Sequence, residues 1–426
     1  MDTIFALASA RGKAGVSVIR VSGPRAFDVL IEMSGRDAPS HRAVVRDLRI
    51  DETVIDRALV LPFRRPASFT GEDVVEFHVH GSTAIINALL RGLGERAGLR
   101  HAEAGEFTRR ALENDKLDLA QVEGLADLIE AETEAQRLQA QRVFSGALGE
   151  VIAKWRMSLV HAASLLEATI DFVDEDVPVD VFPDVVAELE RVCADLEKEI
   201  AGTQAAERIR DGFEVAIVGP PNVGKSTLLN ALAGRDAAIT SETAGTTRDV
   251  IEVRMDLKGL PVTFLDTAGV RDTRDAVEAL GVARALDRAE RADMRLVLKS
   301  QKSDPPAIAL RHGDLEMVTK QDLDQSADIS GNTGYGLQHL VDRVVASLEV
   351  RAHDAGMATR ARHRVEMKRA VDALRISLDR IQTSPDLAEL IAEDVRTAIR
   401  ALDALIGRVD VEDVLDRIFS SFCIGK

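Results

Sequence analysis

The sequence predicts a multidomain protein of mixed α+β and α/β class: an α+β domain first, a doubly wound α/β domain in the second half, and helical blocks on both sides of the latter. Three observations carry that expectation. Residues 1 to about 116 alternate strand-like runs with short helical stretches and Gly or Pro turns. From Leu117 onward apolar residues recur at helical spacing. A glycine-rich loop then follows the apolar run Phe213–Val218, a strand-loop-helix arrangement that opens phosphate-binding α/β domains. With 426 residues the chain is long enough for two or three domains, each burying its own core.

In chain order, Val16–Val21, Ala58–Pro62 and Val74–Val79 read as strands of the first domain. His78 and His80 stand two apart on a strand and share a face, but no third ligand follows at a suitable spacing, so they read as groove-facing side chains rather than a metal site. Arg20 and Glu76 fall on adjacent strands, where an ordinary ion pair is the plain expectation. Leu117, Val122, Leu125, Leu128 and Ile129 begin a series of amphipathic helices that continues to about Arg210. The α/β domain occupies about 212 to 348, and helices resume from about 359 to the end. Asp410 and Asp413 ahead of Val414, Leu415 and Ile418 mark the cap of the last helix. Periodicity alone leaves open whether the two helical blocks form one domain.

The chemistry concentrates in the α/β domain. Residues 219–226 read GPPNVGKS: the glycines let backbone N–H groups point at anionic oxygens, Lys225 reaches the terminal phosphates, and the Ser226 hydroxyl can hold Mg²⁺. Ser241–Asp249 (SETAGTTRD) and Val262–Gly269 (VTFLDTAG) follow in the order a nucleotide switch needs. Thr247 completes the Mg²⁺ shell, Asp266 holds a magnesium-bound water and the Gly269 N–H senses the γ-phosphate. These three stretches predict a nucleotide hydrolase.

Guanine requires a carboxylate after a later strand, because Asp accepts from N1–H and N2–H₂. Gln301–Asp304 (QKSD) comes one strand too early, whereas Thr319–Asp322 (TKQD) follows the next run, Leu315–Val318; TKQD is chosen, with Ser330 and Gly331 as the second base-contacting loop. Thr319 stands where GTPases usually have Asn, and its shorter side chain is expected to bridge base and phosphate loop less well. After DTAG, Val270 replaces the Gln that orients water in Ras-like proteins. Spacing leaves Glu278, Asp272 and Asp275 all open for that task. Asn222 offers an amide oxygen to a monovalent cation, with a simple loop cap as the equal alternative.

A charged fraction of 29% and a hydrophobic fraction of 46% are those of an ordinary soluble protein, and a net charge of −17 excludes a broad nucleic-acid footprint. Arg360, Arg362, His363, Arg364, Lys368 and Arg369 form one local basic cluster, read first as a solvated helix face. Two distant cysteines, Cys193 and Cys423, give no disulfide framework, and no apolar run approaches a membrane span. The expected location is therefore cytoplasmic, with no membrane partner.

Further stretches carry a resemblance that extends along essentially the whole chain. SFTGEDVVE at Ser68–Glu76, GEFTRRALENDKLDLAQ at Gly105–Gln121 and the C-terminal CIGK, together with GTTRD and DTAG, closely resemble the MnmE (TrmE) family of tRNA modification GTPases, within the TrmE-Era-EngA-YihA-Septin-like superfamily. The resemblance implies a tetrahydrofolate-binding and dimerising domain at 1–116, a discontinuous helical domain at 117–211 and 349–426, and an inserted GTPase domain at 212–348. It implies a homodimer working with the FAD-dependent MnmG, in a heterotetramer or larger complex. The product is an aminomethyl or carboxymethylaminomethyl group at C5 of the wobble uridine of certain tRNAs, built with a one-carbon unit from 5,10-methylene- or 5-formyl-tetrahydrofolate.

Position by position, the resemblance puts GTP against Asn222, Val223, Gly224, Lys225, Ser226 and Thr227. It adds Ser241, Glu242, Thr243, Ala244, Gly245, Thr246 and Thr247, then Asp266, Thr267, Ala268 and Gly269, and around the base Thr319, Lys320, Asp322, Ser330 and Gly331. Asn222, Ser241, Thr243 and Thr246 match the K⁺ ligands, Ser226 and Thr247 the Mg²⁺ ligands, and Glu278 the water-orienting glutamate. Arg20, Glu76, Lys116 and Lys426 match folate-contacting positions. Cys423 matches the family's C-terminal Cys; beside Phe419 and Phe422 a small buried residue is the alternative to a reactive thiolate. The chain departs from the family pattern at Thr319, at Gly331 where Ala is commoner, at Ser241 where Thr is often found, and in a compressed 322–330 stretch. A function of another class, a GTP-dependent RNA-binding or ribosome-assembly switch without base chemistry, fits the nucleotide domain equally well.

Overall fold

The computed structural model describes residues 2–171, 181–235, 237–239, 252–266, 287–409, 418, 419, 422, 424 and 425. Contacts divide the chain into two compact units, Met1–Ala126 with Asp403–Lys426, and Asp127–Leu402.

The first unit is built on a six-stranded sheet in the order β3-β4-β5-β2-β1-β6. Its strands are β1 (Thr3–Leu7), β2 (Ala14–Ser22), β3 (Val44–Ile50), β4 (Thr53–Phe63), β5 (Val74–Gly81) and β6 (Leu99–His101). The predicted runs at Val16, Ala58 and Val74 fall inside β2, β4 and β5. β1, β3 and β6 are not among the runs read as strands from the sequence. Alternation does the sorting: Phe5, Ile19, Val21, Val75, Phe77 and Val79 are buried in the larger core with α1 (Ala26–Ser34) and α2 (Thr83–Gly94). The intervening positions of β1, Ile4 and Ala6, join a smaller cluster with Ala102 and Phe107, the latter on α3 (Glu106–Glu113). Arg20 lies in register with both Ala6 and Glu76, so all three face that second side.

The tail of the chain is tied to this unit. Phe419 and Phe422 pack with Val122 of α4 (Leu119–Glu130), and Ile424 bridges Ala104. A side chain at Gly105, where φ is 67°, would meet the Phe419 ring at 2.9 Å. The Asp410–Asp413 cap lies outside the described residues.

In the second unit, α5 (Glu134–Phe144), α6 (Ala147–Asp171) and α7 (Phe182–Asp211) precede a five-stranded sheet ordered β11-β10-β7-β9-β8. Helix α5 opens with a capping box, Thr133 and Gln136 each satisfying the other's backbone. Strands β7 (Phe213–Val218), β9 (Leu260–Asp266), β10 (Met294–Lys299) and β11 (Leu315–Val318) run parallel, while β8 (Glu252–Leu257) pairs antiparallel at the edge. Every residue of β9 is buried, the continuous burial a parallel strand covered on both faces demands. Helix α8 (Lys225–Ala233) and α9 (Leu337–Ala352) supply Leu228, Leu229, Leu232, Leu340, Val344 and Leu348 to the core. Helices α10 (Ala361–Thr383) and α11 (Ala388–Leu405) complete the described elements. Among the described residues no helix is long and apolar enough to cross a membrane.

Candidate nucleotide and folate sites

The nucleotide loop leaves the carboxyl end of β7, at the centre of the sheet, where doubly wound folds bind ligands. A Cβ on Gly219 would lie 2.7 Å from the Leu298 carbonyl oxygen of the neighbouring strand, so only glycine lets the loop depart there. Asn222 and Gly224 hold positive φ, 61° and 106°, which turns the chain into the start of α8. Lys225, 6% exposed, donates from Nζ to the carbonyls of Gly219 (2.7 Å) and Pro220 (2.9 Å). Burial pushes its pKa down, while the charge of Asp266 pulls it back up. The Ser226 hydroxyl donates to Asp266 Oδ2 at 2.6 Å, bringing together residues forty apart, the two groups assigned to the metal shell and its water.

The residues expected to recognise the base reach the same edge. Thr319 is buried, and its Oγ1 donates to the Val223 carbonyl at 2.5 Å. The shorter side chain therefore spans to the phosphate loop. Asp322 accepts from Ser330 Oγ (2.6 Å) and Asn332 Nδ2 (3.3 Å), and these bonds hold its carboxyl below the ordinary range. Lys320 is exposed, with φ at 69°. Asp304 of QKSD closes its own turn, accepting from the Gln301 N–H at 2.9 Å. A Cβ on Gly331 would stand 3.0 Å from the Leu228 nitrogen and the Thr227 carbonyl, which is the physical context of its departure from Ala.

Ser241, Glu242, Thr243, Ala244, Gly245, Thr246, Thr247, Thr267, Ala268, Gly269 and Glu278 lie outside the described residues, as do Val270, Asp272, Asp275, Cys423 and Lys426.

In the first unit Arg20 Nε donates to Glu76 Oε1 at 2.9 Å, and His78 Nε2 stands 3.3 Å from Glu76 Oε2. Both members of the pair are only partly exposed, 20% and 16% at the side chains. The Arg20 guanidinium carbon lies 5.4 Å from the Phe69 ring centre and 5.5 Å from that of Phe107. Lys116 is exposed, its stem 3.3 Å from where a Cβ on Gly71 would sit. His80 points elsewhere, to Asp56 at 2.8 Å. Ala6, Arg20's other register partner, helps line a largely apolar cavity of about 810 Å³ with Leu7, Ile86, Leu90, Ala102 and Ile424, and with Arg11 and His101 as its ionisable lining.

Phe69 and the fully buried Phe107 were not singled out from the sequence as neighbours of Arg20, although both stand inside the two signature stretches. The same stretches hold Glu72, Glu106 and Arg110, whose largely buried side chains form an ion-pair network with the exposed Asp2. The basic cluster of α10 is largely engaged: Arg360 pairs with Asp127, Arg364 stands 4.0 Å from Glu207 and Arg369 3.7 Å from Glu366.

Residues 3–116 match the family model "GTP-binding protein TrmE N-terminus", and residues 119–423 match "MnmE helical domain". The chain is 59% identical over 429 residues to the tRNA modification GTPase MnmE of Ruegeria pomeroyi, with 100% of each chain covered. It is 57% identical to that of Roseobacter denitrificans and 58% identical to one from Cereibacter sphaeroides, again over 100% of both chains.

Proposed function

Because the chain belongs to the MnmE family of tRNA modification GTPases, it is a GTP hydrolase acting in tRNA modification, and we propose that its hydrolysis is K⁺-activated and coupled to a folate-dependent change at C5 of the wobble uridine. The partner in this reading is the FAD-dependent MnmG, joined to a homodimer of this chain in a heterotetramer or larger assembly in the cytoplasm.

The observation that carries the folate half is the Arg20–Glu76 pair between two aromatic faces. A pterin presents N–H donors suited to a carboxylate and a flat ring suited to the half-buried Phe69, while Phe107 is fully buried behind Arg20. The glutamate tail requires cations, for which Lys116 and Lys426 are available.

For the nucleotide half, backbone N–H groups at the start of α8 receive the phosphates, and Lys225 exchanges its carbonyl partners for phosphate oxygens. Ser226 with Thr247 would hold Mg²⁺, which neutralises charge developing on the phosphates, while Asp266 orients the coordinated water. Asn222, with Ser241, Thr243 and Thr246, would hold K⁺ where other GTPases use an arginine. Glu278 orients the attacking water, and Asp322 selects guanine. Cys423 is assigned to the base chemistry, with a small buried core residue as the alternative. The domain reading is 1–116 for folate and dimerisation, one helical domain from 117–211 and 349–426, and 212–348 for GTP; the helical-domain match at 119–423, which brackets the nucleotide segment, supports it.

Mass analysis of tRNA nucleosides from a strain lacking the gene, with and without this chain restored, tests the reading. Wobble uridines should lose their C5 substituent and regain it. Unchanged tRNA with altered ribosome assembly would instead favour the switch without base chemistry.

A further inference from the structure

Arg20, Glu76 and Lys116 come from β2, β5 and the segment after α3, so something must hold these elements in one relative geometry. The loop Ser68–Glu72 lies between them, with Phe69 against the Arg20 guanidinium and Gly71 against the Lys116 stem. This loop has no regular backbone ladder of its own. It is fastened instead by side chains, of which Ser22, Thr70, Arg110 and Glu106 are buried.

Glu72 is the main fastening point. Both of its carboxylate oxygens accept from Arg110 Nη1, at 3.2 and 3.1 Å, and one also accepts from the Ser22 hydroxyl at 2.7 Å. Ser22 in turn shares a hydrogen bond of 2.8 Å with Thr70, and both are fully buried. Arg110 is 8% exposed and is itself fixed by Asp2 (3.0 Å to the carbonyl, 2.8 Å to the carboxylate) and by Glu106 at 3.0 Å. From the other side Asn114 donates to the Thr70 carbonyl at 2.7 Å. Gly71 has φ of 77° and no room for a side chain, since a Cβ would lie 2.9 Å from that of Asn114.

We propose that Arg110 is a positioning residue of the folate groove: through Glu72 it clamps the 68–72 loop so that Phe69 covers Arg20 and Lys116 stands beside Gly71. This rests on the folate reading above. Arg110 touches no ligand in this assignment and acts through the loop alone. Its planar fork binds Glu72, Asp2 and Glu106 at once, a task that a lysine ammonium, with one centre of charge and no fixed plane, does poorly.

The test is a titration of the full-length chain with 5-formyl-tetrahydrofolate, comparing wild type, Arg110→Lys, Phe69→Ala and the double variant. Arg110→Lys should weaken binding tenfold or more, and Phe69→Ala should do likewise. In the double variant the loss should be far smaller than the product of the two, because the clamp acts by presenting Phe69; a merely structural role would give multiplicative losses. Asn114→Ala, which loosens the loop through Thr70 without touching the ion pairs, should also weaken binding and keeps the inference testable should Arg110→Lys not fold. Wild type that binds while Arg110→Lys and Asn114→Ala bind equally well overturns the clamp and leaves the folate reading standing. Wild type without saturable uptake overturns both.

Discussion

Thr319→Val isolates one hydroxyl whose worth follows from its surroundings. Thr319 is 5% exposed, and its backbone N–H bonds Lys299 O regardless of the side chain. Its Oγ1 gives its one short bond to Val223 O, at 2.5 Å, while Lys299 O at 3.4 Å is too distant to replace it. Valine keeps the β-branched shape and removes the donor, leaving a carbonyl of the phosphate loop without that partner. Loss of a buried partner of this kind costs about 1–3 kcal/mol. Taking about 1.4 kcal/mol, the loop is tenfold less biased toward its binding geometry, so GTP affinity should fall by about that factor. Titration with a fluescent GTP analogue reads the affinity. A thermal melt should fall by roughly 2–4 °C for each kcal/mol lost. Thr319→Ser is the control: it retains the hydroxyl and loses only a methyl group. If Thr319→Val binds nucleotide and melts as wild type does, or if Thr319→Ser is equally impaired, the bridge between base and phosphate loops is not what fixes the loop.

Three further expectations concern the chemistry and the acid limb of stability. Asn222 has φ of 61°, so Asn222→Gly keeps the backbone conformation while removing the amide; GTP turnover should then become equal in Na⁺ and K⁺, and a preserved potassium advantage would refute the cation role. Glu278→Ala should lower kcat by about 10²-fold or more with GTP affinity nearly intact, measured by single-turnover hydrolysis and equilibrium titration, since the residue acts in the transition state. Glu106 is subject to burial, which raises its pKa, but Arg100, the Glu103 N–H and Arg110 outweigh burial and hold it below 4.5. A carboxyl depressed in the folded state contributes stability above its unfolded pKa and loses it as pH falls through the folded value. Denaturant melts should therefore show wild type weakening more steeply below about pH 4.5 than Glu106→Gln.

What the sequence determined by itself is the nucleotide loop and the order of the strands feeding it. There the proposed chemistry is local: in GPPNVGKS the backbone amides and the lysine proposed to bind phosphate follow one another, so spacing along the chain is spacing in space. The runs at Phe213, Val262 and Met294 are buried parallel strands and that at Leu315 a half-buried one at the sheet edge, all continuous enough to be read directly. The preference for TKQD over QKSD also came from strand order, and the fold adds the contact of Thr319 with Val223, 96 residues away. Tertiary structure alone decided the rest. Whether Arg20 and Glu76 meet depends on the register of β2 with β5, and a slip of one residue would put them on opposite faces. That Phe69 and Phe107 flank them, and that Arg110 holds Asp2 across 108 residues while fastening Glu72, depends on packing between segments with no local signal in common. Backbone chemistry is written in short stretches of chain, whereas a groove assembled from separate elements exists only once the sheet has fixed which side chains share a face.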